Sequence, residues 1–419
     1  MAVKMKLAST VAAGLGVLVA LANVGSATVE KRWTLPVPLP PQSVYLDPFS
    51  FAVFGENATF RNSSVTSYFN PTNTTAPFFQ IFDPSFATEV LGPNPSFQRI
   101  AYNPGFSFAH EAPIYFAETN EVFFSSNDGG PLGYNGWYNN SVVSKINMTE
   151  VEEAISAAGG SPVDVNIQIT TLPLPYSVQM NNGGTGPYYG NLLLVNSGRA
   201  TLPPNLVMVN PYPPYNATVL LDNYFGRQFN SLNDVKVHRA SGNIFFTDPT
   251  YGYLNSFRPA PEMPTQVYRY NPATGAVKVV ADGFRECNGV AFNPSETVAY
   301  VSDTGVSGGF EGTDQTLPAT IYAYDIDPLT QAFTNRRVFA YADAGVPDGI
   351  QLDSLGNVYS GTGEGISVWN PEGTLIGKFF LNSTSAEMIF AGPGNLVILD
   401  ETSMYLAKIQ AQGINLAYP

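Results

Sequence analysis

The chain has 419 residues, of which 44% are hydrophobic, 13% aromatic and only 12% charged, with a formal net charge of −14. This composition can bury a large core and excludes a disordered chain; the 38 Gly and 34 Pro follow no short fixed repeat and suit a turn-rich, all-β protein. The acidic balance excludes nucleic acid as a partner, because no basic surface is available to neutralise phosphates, and reads as a solubility device of a secreted protein.

Taken in chain order, Lys4 and Lys6 precede an apolar run from Leu7 to Ala22, followed by Gly25-Ser26-Ala27. This pattern predicts a secretory signal peptide over 1–27, too short for a membrane anchor. Lys31-Arg32 is a candidate dibasic site ending a short propeptide over 28–32, with Trp33 as the mature N-terminus. No other stretch reaches the length of a transmembrane helix, so the expectation is an extracellular protein without a membrane partner. Asn57, Asn62, Asn73, Asn139, Asn147, Asn216 and Asn382 each begin an Asn-X-Ser/Thr triplet, and seven behind a signal peptide predict glycosylation. Cys287 is the only cysteine, so stability rests on the core and any bound metal rather than on an intrachain disulfide.

Residues 33–104 are rich in Pro, Phe, Ser and Asn without a period, and are read as an extension that packs on or closes a main domain over 105–419. One helix is predicted over Thr149–Ala158, opened by a Thr149/Glu152 capping box. Elsewhere strands and turns dominate. Six pieces share a strand–turn–strand pattern, beginning at His110, Asn181, Asn233, Asn288, Asp348 and Ala386. In the third, Val235 and Val237 alternate with Lys236 and His238, Ala240-Ser241-Gly242 turns the chain, and a second β-rich run ends near Asp248. His238, beside that turn, is expected to face solvent. Spacings of 55 residues (233 to 288) and 60 residues (288 to 348) each fit one four-stranded blade with its loops. The pattern predicts a six-bladed β-propeller with four-stranded antiparallel blades.

The innermost strand of each blade lines a propeller's axis, so polar residues at the starts of those strands converge. Glu111, Asn233, Asn288 and Asp348 occupy such starts. Two carboxylates and two amide oxygens form a hard oxygen set suited to calcium, with other divalent metals also compatible, and leave positions for water and substrate. Asn181 or Asn182 holds the related place in the second repeat. Alone, Asn288-Gly289 and Asp348-Gly349 would read as turn formers; their shared register ahead of apolar strands argues for ligands.

NDVKVHRASGNIFFTDPTYG, CNGVAFNPSETVAYVSDTG and PDGIQLDSLGNVYSGTGEGISVWNPEGTLIGK together resemble the gluconolactonase, regucalcin and luciferin-regenerating-enzyme family. HEAPIYFAETNEVFF, NPYPPYNATVLLDNYFGRQFNSLNDV and the tail extend a closer resemblance to secreted fungal lactonohydrolases, from about Gly105 to the C-terminus. The resemblance implies a six-bladed propeller with one catalytic divalent metal, usually calcium, held at Glu111, Asn233, Asn288 and Asp348. It implies a small-molecule lactone of aldonate or pantoyl type as substrate, and says nothing of oligomeric state. Ala112 stands where many members have Gly, Cys287 where a Pro is common, and Ser231 where the mammalian branch has a substrate-binding Arg. Arg227 is the candidate replacement, with Asn182 and Tyr251 as further substrate-binding candidates. Tyr253 and Phe310 read equally as pocket wall or core, and Cys287 as a small buried hydrophobe. Asp348 and then His110 are the candidate catalytic bases for water attack on the lactone carbonyl. Asp248 and Asp303 read as turn formers. No Gly-X-Ser-X-Gly elbow supports a serine hydrolase. A phosphotriesterase-like hydrolase and a non-catalytic carbohydrate-binding propeller are the competing functions on this scaffold.

Overall fold

The structure, a computed structural model, describes residues 38–56, 60–61 and 69–419. The expected signal peptide and dibasic site, together with Asn57 and Asn62, lie outside the described residues. Six antiparallel sheets stand around one axis. Their first strands, Glu111–Phe116, Asn181–Tyr188, Val235–His238, Cys287–Phe292, Ile350–Leu352 and Glu387–Phe390, touch one another in a closed ring. The protein is therefore the six-bladed propeller that the repeats predict.

Burial explains why the first and second strands of the blades show no wet face. Each is packed on both faces by neighbouring blades, so every residue of Asn243–Asp248 and Cys287–Phe292 is buried. Outer strands face water, and Ala217–Leu221 and Phe333–Tyr341 are largely exposed. The core is accordingly divided into wedges between adjacent blades. Ile114 and Phe123 meet Leu192 and Leu194 between the first and second, and Val195 and Leu206 meet Val235 and Phe246 between the second and third. Burying one such side chain contributes about 1.5–3 kcal/mol, so these wedges are what hold the blades in place around the axis.

Both chain ends close the ring. Ser96–Tyr102 pairs antiparallel with Ser403–Lys408 and becomes the outer strand of the sixth sheet. Phe78–Ile81 pairs with Leu375–Phe380 and carries Ser43–Tyr45 in parallel beyond it, extending the fifth sheet to six strands. The tail then crosses the end of the axis away from the candidate site: Ser354 N–H donates to Gln412 O at 2.7 Å, and Tyr418 N–H to Pro187 O at 2.8 Å.

Two local expectations are corrected. The helix spans Met148–Ala157 and is capped by Asn147, whose side chain accepts from Thr149 N–H at 2.8 Å and Glu150 N–H at 3.4 Å. Asn147 has the extended backbone a cap requires, whereas Thr149 is already helical and Glu152 pairs with Lys408 at 2.6 Å. His238 is buried against Phe245 and Phe292, and its ring nitrogens meet Ser241 Oγ and Glu296 O, both at 3.1 Å. The strand carrying it is covered on both faces, so alternation does not mark a wet side. Asn73, Asn139, Asn216 and Asn382 are exposed, while Asn147 is half-buried in its capping role.

Candidate active site

At one end of the axis the inner strands begin around a cavity of about 490 Å³, lined by His110, Glu111, Asn182, Asn233, Asn288 and Asp348. Glu111, Asn182, Asn233 and Asn288 are buried while His110 and Asp348 are half-buried, yet Oδ1 of Asn182, Asn233, Asn288 and Asp348 is itself buried and has no hydrogen-bond partner among the described residues. Buried polar groups are nearly always paired, and leaving one unpaired costs about 1–3 kcal/mol. Glu111 is scarcely better served: its one contact is a 3.4 Å bond from Ala112 N–H. Oxygens converging from four blades without protein donors fit a hard cation such as calcium. Among the described residues no three His, Cys, Asp or Glu side chains form a metal cluster of their own, so a cation at this cavity would need the amide oxygens as well.

The positions of these oxygens follow from a repeated dipeptide. In the third blade Thr247-Asp248 ends the second strand, and in the fourth Ser302-Asp303 does the same. Each carboxylate secures the loop ahead of its own blade's cavity-lining Asn: Asp248 accepts from Asn230 and Ser231 N–H at 3.0 and 2.8 Å, and Asp303 from Arg285 and Glu286 N–H at 3.0 and 2.9 Å. Each hydroxyl secures the next blade's cavity-lining residue: Thr247 Oγ1 donates to Asn288 O at 2.7 Å and Ser302 Oγ to Asp348 O at 2.9 Å. Ser197 Oγ likewise donates to Leu232 O at 2.8 Å, beside Asn233. Asp248 and Asp303 are thus buried anchors rather than turn formers.

Gly183 and Gly289 serve a related purpose. Both lie inside strands with ordinary negative φ, so neither is a turn residue. A methyl group at Gly183 would fall 2.3 Å from Asn233 O, and one at Gly289 2.5 Å from Asp348 O. Gly is needed there because the backbone of Asn233 or Asp348 in the next blade comes too close for any side chain.

Electrostatics crowd this end of the axis with negative charge. Burial, then the nearby Asp348, Glu387 and Asp234, hold the Glu111 carboxyl well above its usual range. Burial raises Asp348 to about 6 and Asp128 to about 7, opposed in both by His110. For His110 burial acts downward, but the Glu401 carboxylate, with Asp348 and Asp128 behind it, raises the imidazole to about 9. A divalent ion held here would add the positive charge these groups lack and reverse the local pKa logic.

Of the residues expected from sequence, Glu111, Asn233, Asn288, Asp348, His110, Asn182 and Tyr251 all line the one cavity. Tyr251 hydroxyl is engaged by Thr304 and by Ser307 O at 3.3 Å, fixing the ring as a wall. Phe310 also lines the cavity, edge-on to Tyr253 at 5.2 Å. Arg227 does not join them: it is exposed, borders a separate cleft and donates to Glu262 O at 2.7 Å. The turn that carries it leads away from the axis before Asn230 and Ser231 return to it. Cys287 is buried in the wedge with Phe245, Val267 and Phe284 and does not reach the cavity. Sequence reasoning missed Asn127, Asp128 and Glu401. The first two follow the first blade's Phe123-Phe124-Ser125-Ser126 run, in which Ser126 takes the place of Asp248, so they lie one and two residues beyond the shared register and gave no signal; Glu401 lies 291 residues from the histidine it touches.

Residues 190–399 match the family model described as "SMP-30/Gluconolactonase/LRE-like region". Lactonohydrolase oryL of Aspergillus oryzae is 30% identical over 75% of this chain and 70% of its own. Among solved structures, a gluconolactonase of Xanthomonas campestris superposes with a TM-score of 0.59 at 23% identity, covering 78% of this chain and 94% of that one. A calcium-binding protein, regucalcin, from Agrobacterium tumefaciens gives 0.54 at 15% identity, covering 77% and 98%. At those identities the structural likeness speaks for the fold alone; the family model and the fungal relative carry descent. With the matched stretch running from the second blade into the sixth and the ring closed as described, the chain belongs to the SMP-30/gluconolactonase/LRE-like family.

Proposed function

We propose that the protein is a secreted, calcium-dependent lactonase that hydrolyses the ester bond of small lactones to hydroxy acids. The observation that carries this reading is the set of four buried, unpartnered Oδ1 atoms that meet Glu111 around one cavity. The names of the relatives, lactonohydrolase and gluconolactonase, support the reaction, and the calcium-binding name of regucalcin supports the ion. The signal-like N-terminus and the exposed Asn73, Asn139, Asn216 and Asn382 support secretion and glycosylation.

Glu111, Asn233, Asn288 and Asp348 would hold the ion, with Asn182 completing the floor through its own oxygen or through a water. When bound, calcium supplies Lewis acidity at the lactone carbonyl oxygen. The chain's own residues do the rest. Tyr251 walls the lactone against the floor, and His110 holds or moves a proton at Nε2 beside the attacking water, the task for which Asp348 is the alternative. Of the lining side chains His110 alone can carry positive charge, while Glu111, Asp128 and Asp348 are acidic, so uncharged lactones are preferred over phosphorylated or carboxylated ones.

The test is a pH-stat assay of aldonolactones and pantoyl lactone with the purified protein, before and after chelation and calcium return. Acid release that stops with chelator and returns with calcium is expected. Hydrolysis of organophosphates alone, or sugar binding without turnover, would replace the reading.

A further inference from the structure

Glu401 is held more tightly than a surface turn residue needs to be. It is the first residue of the two-residue turn between Asn395–Asp400 and Ser403–Lys408, and its φ is +58°. That place in a hairpin is ordinarily filled by Gly, because a side chain strains the left-handed backbone. Glutamate sits there under restraint: its N–H donates to Ala109 O at 2.8 Å, and its carbonyl accepts from Ala109 N–H at 2.9 Å. Both carboxylate oxygens are committed as well. Oε1 accepts from His110 Nδ1–H at 2.6 Å, and Oε2 from Asn127 Nδ2 at 2.9 Å. The last blade thus reaches across the closure of the ring to grip the histidine that precedes Glu111. Strain kept at a fixed position beside a cavity points to function rather than to folding.

The grip has one chemical consequence. With Nδ1–H bonded to Glu401, it is Nε2 that gives up or takes the ring's second proton, and among the described residues Nε2 has no protein partner. Swinging the ring away would cost the carboxylate its short bond. This is the arrangement of base and orienting acid that general-base hydrolysis requires.

Resting on the lactonase reading, we propose that Glu401 is a positioning residue that fixes the tautomer and direction of His110 for proton transfer. A water proton passes to Nε2 as the water oxygen bonds to the carbonyl carbon. The same proton passes to the ring oxygen as the carbon–oxygen bond of the lactone breaks. One water is consumed, and the pair returns to its starting state.

The experiment is a kinetic cycle on the full chain with calcium present, assayed on pantoyl lactone and aldonolactones. Glu401→Gln is expected to lower kcat about 10²–10⁴-fold with KM little changed, as loss of an orienting carboxylate does elsewhere. In a His110→Ala background the same substitution should alter kcat by less than about threefold, because its effect runs through the histidine. Glu401→Gly, whose backbone suits the turn, guards against misfolding; it should keep the calcium-induced rise in unfolding temperature and lose turnover as the Gln variant does. Equal losses in both backgrounds, or full kcat in either Glu401 variant, overturn the proposal while the lactonase reading stands. A wild-type protein that hydrolyses no lactone overturns both.

Discussion

Replacing Gly289 by Ala separates the fold's stability from the accuracy of its site. The added methyl would lie 2.5 Å from Asp348 O and 3.0 Å from both Gly349 Cα and Ile350 N. All three are backbone atoms of the strand that brings Asp348 to the axis, so no side chain can swing aside. Ordinary contact begins near 3.4 Å, so Asp348 must retreat by about 0.9 Å or the fourth and fifth blades must part. Overpacking of this kind costs about 1–3 kcal/mol. At about 2.1 cal/mol/K of unfolding entropy per residue, the unit Leu35–Pro419 carries about 0.8 kcal/mol/K, and the midpoint falls by only about 1–4 °C. A reacting group displaced by about 1 Å costs on the order of a hundredfold in rate. The variant is therefore expected to fold, to melt a few degrees early, and to lose about two orders of magnitude in lactone kcat/KM with a diminished response to calcium. Initial rates in a pH-stat and calorimetric midpoints with and without calcium measure both. Gly105→Ala, where the nearest atom is 3.6 Å away and φ is not positive, is the control. Full activity and a full calcium response in Gly289→Ala would show that close approach of the inner strands does not fix Asp348.

Calcium at about a hundred times its dissociation constant should stabilise the chelated protein by about 2.7 kcal/mol, a midpoint rise of about 3 °C; an unchanged midpoint under saturating calcium argues against a cation at the axis. Asn233→Leu removes an unpaired buried oxygen, so the chelated variant should melt no earlier than wild type while its calcium-dependent rise disappears, an unusual pair of signs that calorimetry reads directly. Lys236 contacts both oxygens of buried Asp234 at 3.0 and 3.1 Å, and Lys236→Met should cost about 3–5 kcal/mol by stranding that carboxylate; urea titration showing less than about 1 kcal/mol would mean the pair is not a closed ion pair. Arg227→Ala, far from the cavity, should leave kcat/KM within about twofold, and a large rise in KM would return that arginine to the substrate.

The propeller was legible because each blade begins alike: a polar residue, then an apolar strand, a turn and a second strand. The same register picked out Glu111, Asn233, Asn288 and Asp348, which indeed share a cavity. What the register could not show is the reason for the glycine after Asn182 and after Asn288. Asn-Gly is a strong turn signal, and only the neighbouring blade reveals that Gly289 is a strand residue pressed against another backbone. His238 misled for the opposite reason, since a polar residue in an alternating strand marks water only when one face is free. Arg227 was placed by its nearness to Asn233 in sequence, but a six-residue separation crosses a loop that leaves the axis. Ser96–Tyr102 gave no clear strand signal on its own because its partner, Ser403–Lys408, lies at the other end of the chain.

The candidate ligands of this site belong to pairs of blades rather than to single ones. Asn288 is aimed by its own blade's Asp303, which secures the loop ahead of it, and by the third blade's Thr247, which holds its carbonyl. Asp348 takes its carbonyl restraint from Ser302 of the fourth blade and its clearance from Gly289 of that same blade. A blade cut out of the ring would carry the right residue with neither restraint, and its polar oxygen would turn to water. The unpaired oxygens can persist only because the closed ring fixes each strand from the side, and that closure depends on Ser96–Tyr102 completing the sixth sheet. Losing that strand should therefore reach Glu111 first, because the sixth blade also carries the Glu401 turn that grips Ala109 and His110 immediately ahead of it.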